Sequence, residues 1–287
     1  MRSRSLVYYL FVLPGVIGFF FFSTLPALMG VYYSMTDFDG VSSLNFVGLR
    51  NFINLFQDED VYNAYAFTIK YALVCTILTN IISLAMALAL NARIKFKTFL
   101  RGVFFMPNVL GTLIVGYIFG FIFSNVLPLV GQKLGVPFLQ SNILMDFDKA
   151  WLGIVIVGVW QACAFNIILY LAGLQSIPKD LYEAATIDGA GKWQMFRNVT
   201  FPLLAPFFTI NVVLATRGFL GVFDQIVALT QGGPGRVTNS VTYLIYSGGF
   251  TRGEYGFQSA NAVVFTVLMI AIAFIQLKLL QKREVHQ

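Results

Sequence analysis

Charged side chains are scarce in this sequence, where lysine, arginine, aspartate and glutamate together make up 11% of the 287 residues. A typical soluble domain carries about 25% of these residues. Hydrophobic residues reach 57%, and the mean hydropathy is +0.75. Because a soluble core could not bury this much apolar surface, the composition excludes an ordinary soluble domain and indicates an integral membrane protein.

Histidine and cysteine are almost missing as well. The single histidine, His286, lies next to the C-terminus, so the sequence predicts no metal site. Cys75 and Cys163 lie in apolar runs, and we expect two packed free thiols that say little about the redox compartment. No nucleophile with an acid-base partner is visible in the apolar runs, which argues against a membrane enzyme.

The sequence also lacks the nucleotide-binding pattern Gly-x-x-x-x-Gly-Lys-Ser/Thr. Its nearest candidate, Gly191-Lys192, is followed by Trp193 and lacks the upstream glycine. That pattern needs its glycines to wrap the backbone around phosphates and its lysine to reach them. We therefore expect no ATP hydrolysis and no cofactor in this chain.

Apolar runs of membrane length are abundant. A helix needs about 20 apolar residues to cross a hydrocarbon layer of about 30 Å. Six runs meet this length, near 8–33, 68–91, 100–124, 150–174, 203–230 and 258–280. They lack the period-2 alternation of barrel strands. Because backbone groups in lipid must be satisfied internally, we predict an all-α bundle of about six transmembrane helices, with residues 1–287 forming a single domain.

Basic residues predict the orientation of these helices. Arg2 and Arg4 precede the first run, which continues past Tyr32 without a short cleavage site, so we expect a retained helix and not a signal peptide. Basic residues favour the cytoplasmic side of a membrane. A cytoplasmic N-terminus then places both termini inside, together with most other cations: Arg93, Lys95, Lys97, Arg101, Lys179, Lys192, Arg197, Lys278, Lys282 and Arg283.

The opposite side receives fewer cations and the acidic cluster Asp58, Glu59 and Asp60. The sequence pI of about 9.3 is explained by this one-sided distribution. Because the cations form no patch interleaved with exposed aromatics, we expect no nucleic-acid partner.

A polar stretch, residues 176–202, separates the fourth and fifth runs. Ser176 is placed to cap a short helix with Pro178 in its first turn, and Asp180 and Glu183 near the start would complement the helix dipole. We refer to this stretch as the 176–202 segment. By the orientation above, it lies in the cytoplasm.

Glycines interrupt the 176–202 segment. Gly189 and Gly191 let the chain reverse, and we expect a second short helix that packs Trp193, Phe196 and Val199 against the membrane helices. Small side chains leave a smooth knob over which a partner with a cleft could close: Ala184, Ala185, Gly189 and Ala190.

The order of residues in this segment resembles the EAA loop of the permease subunits of binding-protein-dependent ABC importers, the loop that the cytoplasmic ATPase grips. The resemblance rests on an acidic-Ala-Ala turn, an Asp-Gly-Ala step and a downstream Phe and Pro: Glu183-Ala184-Ala185, Asp188-Gly189-Ala190, Phe196 and Pro202. The alternative is an ordinary cytoplasmic helix-turn-helix between two membrane spans.

Three further stretches are similar to the carbohydrate-uptake branch of that family, the maltose, multiple-sugar and glycerol-3-phosphate type. They are Phe46–Phe52 after the first span, Met106-Pro107-Asn108 at the third, and Leu229–Pro234 at the close of the fifth. The Gly-Gly-Pro within the last stretch would be weak evidence alone, because it marks any tight turn.

The resemblance implies the type I importer permease fold and a permease subunit that forms half of a translocation pathway for a sugar or oligosaccharide. It implies alternating access in a bacterial or archaeal cytoplasmic membrane. The implied partners are a cytoplasmic ATPase dimer that binds ATP and Mg, a second permease chain and an extracytoplasmic solute-binding protein.

The membrane runs contain a few polar residues that are candidates for the solute pathway. Arg217 and Asp224 lie seven positions apart in the fifth run, which on one continuous helix places them on nearly one face. Charges in a membrane usually face a protein interior or a watery cavity. Polar and aromatic groups suited to sugar hydroxyls and ring faces complete the set: Trp160, Gln161, Asn166, Phe223 and Gln225.

Other interpretations remain open at this stage. The amides could simply join neighbouring helices. Glycerol-3-phosphate or another polar solute is an alternative cargo, although a phosphate would favour more than one cation in the cavity and only Arg217 is evident. A secondary sugar facilitator acting alone is a further alternative, but the sequence shows no internal repeat, and Asp224 is the one carboxylate well inside a run.

Overall fold

The computed structural model describes residues 2–41, 44–92 and 95–281, with the side chains described from residue 11 onward. For Arg2 and Arg4, only the backbone is described. The predicted cytoplasmic cations Arg93, Lys282 and Arg283 lie outside the described residues, as does His286.

Helices make up nearly all regular structure in the described ranges, where the only extended pairing is one isolated antiparallel bridge between Thr36 and Phe46. The all-α prediction is confirmed. In chain order the α-helices are α1 (Arg2–Phe19), α2 (Leu25–Tyr33), α3 (Arg50–Leu55), α4 (Glu59–Asn91), α5 (Lys97–Val109), α6 (Thr112–Phe121), α7 (Leu127–Leu134), α8 (Ala150–Ser176), α9 (Lys179–Ile187), α10 (Lys192–Met195), α11 (Phe201–Leu220), α12 (Asp224–Leu229), α13 (Val241–Tyr246) and α14 (Tyr255–Leu280).

Six helices in the described part of the chain are long and apolar enough to cross a membrane, which confirms the predicted number. They are Phe11–Tyr33, Glu59–Asn91, Thr112–Leu134, Ala150–Ser176, Lys192–Leu220 and Tyr255–Leu280. Some of these combine two α-helices through a π-helical turn, as α6 and α7 do through Ile122–Val126.

The boundaries of the third span differ from the prediction. The apolar run near 100–124 is broken at Leu110 and Gly111, whose backbones are extended with ψ values of 134° and 133°. A separate 13-residue helix, α5, therefore precedes the spanning helix. Hydropathy stays high across the break, while Gly111 is a poor helix former, so a local backbone preference favours the interruption where hydropathy does not mark it.

The fifth span also ends earlier than predicted, and this changes how Arg217 and Asp224 are placed. The predicted run 203–230 ends as a helix at Leu220, and α12 begins only at Asp224 after an irregular turn. Arg217 and Asp224 do not share one helix, so the prediction that they lie on one helical face is wrong. Gly218 and Gly221 weaken the helix at this point.

The chain divides into two compact units, one formed by Met1–Tyr62 and Leu244–Leu268 and the other by Asn63–Tyr243 and Met269–Gln287. In the first unit, the side-chain amide of Asn51 donates through Nδ2 to the backbone carbonyls of Ser34 and Thr36, at 2.9 and 2.8 Å. The Asn45 side chain and backbone amide donate to the Asp37 carboxylate, and these bonds lower the pKa of that carboxyl.

The core of the second unit is built around α8, the most buried of the six spans. Tyr170 on α8 is fully buried and donates to Asn80 Oδ1 on α4 at 2.6 Å. Cys75 and Cys163 are both buried free thiols. Polar side chains also join helices, since Gln276 on α14 donates to Thr216 Oγ1 on α11 at 2.8 Å. Such bonds spare polar groups the cost of lying unpaired in an apolar medium.

Candidate functional site

The 176–202 segment begins with a helix that is capped differently from the prediction. Ser176 is the last residue of α8, and its hydroxyl donates to the Gly173 carbonyl at 2.8 Å. Pro178 occupies the N-cap position of α9, so the predicted Ser176 cap is wrong. Proline suits this place because an amide hydrogen there would have no helical partner.

The turn after α9 is the reversal that the glycines predict. Gly189 has φ +77°, a left-handed conformation that glycine adopts at little cost. Its amide donates to the Thr186 carbonyl at 3.1 Å, and the Ala190 amide donates to the Ala185 carbonyl at 2.9 Å. These two bonds form a Schellman motif, which ends a helix by satisfying its last carbonyls. The turn is therefore held by the backbone itself.

The second part of the segment is the start of the fifth span and not a separate short helix. Residues Lys192–Leu220 run as one 29-residue helix with a π-helical turn at Phe196–Thr200. Gln194 accepts a hydrogen bond from the Gly191 amide at 2.9 Å, which caps this helix. The Tyr182 and Thr200 hydroxyls are 3.2 Å apart, so α9 is tied directly to the base of a membrane helix.

The predicted contact residues of the segment fall into two groups. Exposed to solvent are Glu183, Ala184, Asp188 and Gly189; half-buried are Ala185, Ala190, Phe196 and Pro202. Ile187, which was not predicted from the sequence as a contact residue, is 86% exposed, and Trp193 is 69% exposed. Large exposed apolar side chains beside a polar rim are typical of an interaction surface.

A polar cavity of about 500 Å³ lies within the second unit, where the break between α5 and α6 meets α8 and α11. Three of the predicted pathway residues line it, namely Gln161, Asn166 and Gln225. The structure adds Asn108, Thr112 and Phe165, which the sequence analysis had not proposed. The remaining lining is Val109, Leu110, Gly111, Gly158, Ala162, Leu214, Ala215, Gly218, Phe219 and Val222.

Two amides in this cavity have unused acceptor oxygens. Gln161 donates through Nε2 to the Leu110 carbonyl at 3.1 Å, and Asn166 donates through Nδ2 to the Ala162 carbonyl at 2.8 Å. Gln161 Oε1 and Asn166 Oδ1 are buried and meet no donor in the described part of the chain. Asn166 is only 5% exposed. Since a buried polar atom without a partner is costly, each oxygen would be stabilised by a donor, and a solute can supply one only after a change of side-chain position exposes the oxygen.

The other predicted pathway residues do not line this cavity. Trp160 is 41% exposed and lies beside Phe119, with ring centroids 5.2 Å apart, in a neighbouring apolar groove. Arg217 is exposed near the end of α11, and Asp224 is the first residue of α12. The Phe223 ring faces Tyr243 at a centroid distance of 6.4 Å.

One signal in the sequence could have identified Asn108. It follows Pro107 directly, and a polar residue at an interrupted apolar run is a sign of irregular backbone that lines a cavity. Thr112 and Phe165 carry no such signal. They reach the cavity only through the way in which α6 and α8 pack.

The chain matches a known protein family over most of its length. The family described as "Binding-protein-dependent transport system inner membrane component" matches residues 80–285. This range includes both the polar cavity and the 176–202 segment, and it is well over half of the chain.

Similar proteins match along nearly their whole length. The probable starch degradation products transport system permease protein AmyD of Thermoanaerobacterium thermosulfurigenes is 37% identical, over 99% of this chain and 97% of that protein. The multiple sugar-binding transport system permease protein MsmF of Streptococcus mutans is 39% identical, over 93% of this chain and 91% of that protein.

A solved structure shares the fold. In the crystal structure of a bacterial ABC transporter involved in the import of the acidic polysaccharide alginate, one chain superposes with a TM-score of 0.87. The match covers 98% of this chain and 96% of that chain at 22% sequence identity.

Proposed function

Because the chain belongs to the family of binding-protein-dependent transport system inner membrane components, we propose that it forms half of the translocation pathway for a sugar or oligosaccharide. It is a multi-pass protein of the cytoplasmic membrane and a transport subunit. The observation that carries the proposal is the family match over residues 80–285, which contains the polar cavity. The named sugar-transport relatives support the class of cargo.

The chemistry of the cavity supports a sugar. Its volume of about 500 Å³ lies within the range of about 300–1,000 Å³ that is usual for small-molecule sites. The oxygens of Gln161 and Asn166, which meet no donor among the described residues, can accept hydrogen bonds from hydroxyl groups once their side chains turn toward the cavity. Asn108 and Gln225 supply further amides, and the Phe165 ring offers a flat apolar surface for the less polar face of a pyranose.

Glycerol-3-phosphate is the weaker alternative. A phosphate binds best to arginine or lysine, which supply charge-assisted hydrogen bonds. No charged side chain lines the cavity among the described residues, and Arg217 lies outside it. An uncharged solute therefore fits this lining better than an anionic one.

The 176–202 segment supports an ATPase partner. Its exposed apolar side chains, Ile187 and Trp193, lie next to the rigid Schellman turn at Gly189. The Tyr182–Thr200 contact joins this surface to the fifth span, so movement of a docked protein would reach the membrane helices. We assign ATP and Mg to that partner, a cytoplasmic ATPase dimer. The residues that we assign to contact with the ATPase are Glu183, Ala184, Ala185, Asp188, Gly189, Ala190, Phe196 and Pro202.

The proposal extends to the other partners and to the orientation. A second, homologous permease chain completes the pathway, and a solute-binding protein delivers the cargo from outside. Both termini face the cytoplasm. Support comes from the two ends of α4, since Asp58, Glu59 and Asp60 lie at its start while Lys95 and Lys97 follow its end.

The experiment that tests the proposal is purification of the tagged chain from its native membranes in mild detergent, with its companions identified by mass spectrometry. We expect a second permease and an ATPase, both lost when the 176–202 segment is altered. Reconstitution then separates the alternatives. Uptake of a sugar into liposomes that needs ATP and all subunits supports the importer. A chain that moves sugar alone would establish a facilitator and overturn the proposal.

A further inference from the structure

Arg101 is a cation whose hydrogen-bonding groups are only partly used. It lies in the second turn of α5, close to the N-terminal end of the helix and to the basic residues Lys95 and Lys97. Its Nε and Nη2 atoms are buried and meet no acceptor within residues 2–41, 44–92 and 95–281. These two atoms form one edge of the guanidinium fork, which matches two oxygens of a phosphate or carboxylate.

Arg101 lines a cleft of about 280 Å³ between α5 and α8. Gln175, in the last turn of α8, is the second polar side chain of this cleft. The rest of the lining is apolar: Phe104, Phe105, Ala164, Ile167, Ile168, Leu171 and Ala172. No carboxylate is present among these residues, so the positive charge of Arg101 is not neutralised within the cleft.

A longer apolar groove continues from this cleft. Phe104, Ala164 and Ile167 line both, and the groove has a volume of about 650 Å³ between α4, α5 and α8. Several of its side chains are exposed, including Ile82 and Ile156. In a membrane protein, an exposed apolar groove at membrane depth faces acyl chains or a neighbouring subunit and not water.

We propose that the Arg101 cleft and its groove together hold one anionic phospholipid. The Arg101 side chain turns so that its Nε and Nη2 edge, buried in the lipid-free structure, faces the cleft and binds the phosphate in a bidentate manner. Gln175 donates to a further headgroup oxygen, and one acyl chain lies along the groove past Phe104. Basic pockets between membrane helices are suited to anionic headgroups. This proposal depends on the membrane location of the chain and not on the cargo or the ATPase.

The position of the cleft favours a lipid over a protein side chain. Arg101 and Gln175 lie near the start of α5 and the end of α8, so the phosphate would sit where helices leave the membrane. A protein carboxylate would satisfy the guanidinium but would leave the 650 Å³ groove unfilled. A phospholipid fills both, and it would join α5 to α8 directly before the 176–202 segment.

The test uses the full chain with whatever subunits purify with it, stripped of lipid in detergent. Phosphatidylglycerol is added back and its binding is measured by native mass spectrometry. We expect Arg101→Gln to weaken binding at least about tenfold, which is the effect of losing a charge-assisted hydrogen bond. Arg101→Lys, which keeps the charge and loses the fork, should fall between this variant and the parent. Lys95→Gln is the matched control, since it removes an exposed cation nearby and should change binding less than about twofold.

Three results would overturn the proposal. Equal binding of phosphatidylglycerol by the parent and Arg101→Gln would show that the guanidinium does not bind the lipid. Equal binding of phosphatidylcholine with the same acyl chains would remove the requirement for net negative charge. Displacement of the lipid by inorganic phosphate at similar concentration would indicate a phosphate-ion site. If Arg101→Gln fails to fold, Arg101→Lys is compared with Lys95→Gln. Weaker lipid binding by Arg101→Lys than by Lys95→Gln supports the proposal, and equal binding by the two variants contradicts it.

Discussion

Gly189→Trp is the substitution that most directly tests the role of the 176–202 segment. Gly189 has φ +77°, and no heavy atom lies within 4 Å of the point where a Cβ would stand. The Cβ of the new residue therefore meets no steric obstacle within the described chain, and the exposed position leaves the ring directed to the surface. The left-handed backbone costs a residue with a side chain about 1–2 kcal/mol. Domains are stable by about 5–15 kcal/mol, so we expect a folded, membrane-inserted protein that carries a large ring on its docking surface.

The assay is ATP-dependent uptake in vesicles that contain the complete transporter, with ATP hydrolysis measured in parallel. We expect uptake to be lost while the amount of inserted protein stays within about twofold of the parent, because the strain is small and local. The control is Gly135→Trp at the end of α7, where φ is +65° and a Cβ again meets nothing within 4 Å. It carries the same strain and bulk outside the segment and should retain uptake. Normal uptake by inserted Gly189→Trp protein would refute the docking role.

Two further predictions concern buried amides. Asn166→Leu removes an acceptor of the cavity and should lower uptake about tenfold, the effect of one lost hydrogen bond of about 1.4 kcal/mol, without lowering the melting temperature. Unchanged uptake would exclude Asn166 from the pathway, and Asn125→Leu is the control, since its amide makes the same i to i−4 bond outside the cavity. Asn80→Ala leaves the buried Tyr170 hydroxyl without its acceptor and should cost about 1–3 kcal/mol of stability, measured by thermal unfolding. A loss no greater than that of Thr266→Ala, an exposed hydroxyl on α14, would contradict this estimate.

The spans were predictable because the energy of burying apolar residues in lipid is summed over many positions. Their exact ends were not, since a few residues with unusual backbone preferences decide them. Leu110 is apolar and fits a membrane helix by composition, yet its backbone is extended. The Gly189 turn was predictable for the opposite reason, because glycine is the residue that adopts left-handed backbone at little cost, and two glycines in a polar stretch mark such a turn.

The cavity was only half predictable. Polar residues in apolar runs are conspicuous, so Gln161 and Asn166 could be identified singly. Arg217 was equally conspicuous but lies outside the cavity. Sequence spacing predicts a shared face only while one helix continues, and the turn before Asp224 breaks that condition. Which polar side chains meet depends on the packing of α5, α8 and α11.

The two breaks that hydropathy missed lie at the same place in the structure. Leu110 and Gly111 from one break, and Val222 from the other, all line the polar cavity. Irregular backbone at membrane depth is tolerated only where it is buried in protein or lines a cavity. The first break also has a specific partner, because Gln161 on α8 donates to the Leu110 carbonyl at 3.1 Å.

Gln161 therefore has two roles that a pair of substitutions can separate. Gln161→Leu removes both the free Oε1 acceptor and the donor to the Leu110 carbonyl, so it should reduce uptake and also cost about 1–3 kcal/mol of stability. Asn166→Leu should reduce uptake alone, because its amide donates to a carbonyl within its own helix. Thermal unfolding and uptake, measured on both variants in the same membranes, test this contrast. If Gln161→Leu melts at the parent temperature, its amide does not support the break, and the irregular backbone at Leu110 must be held by packing alone.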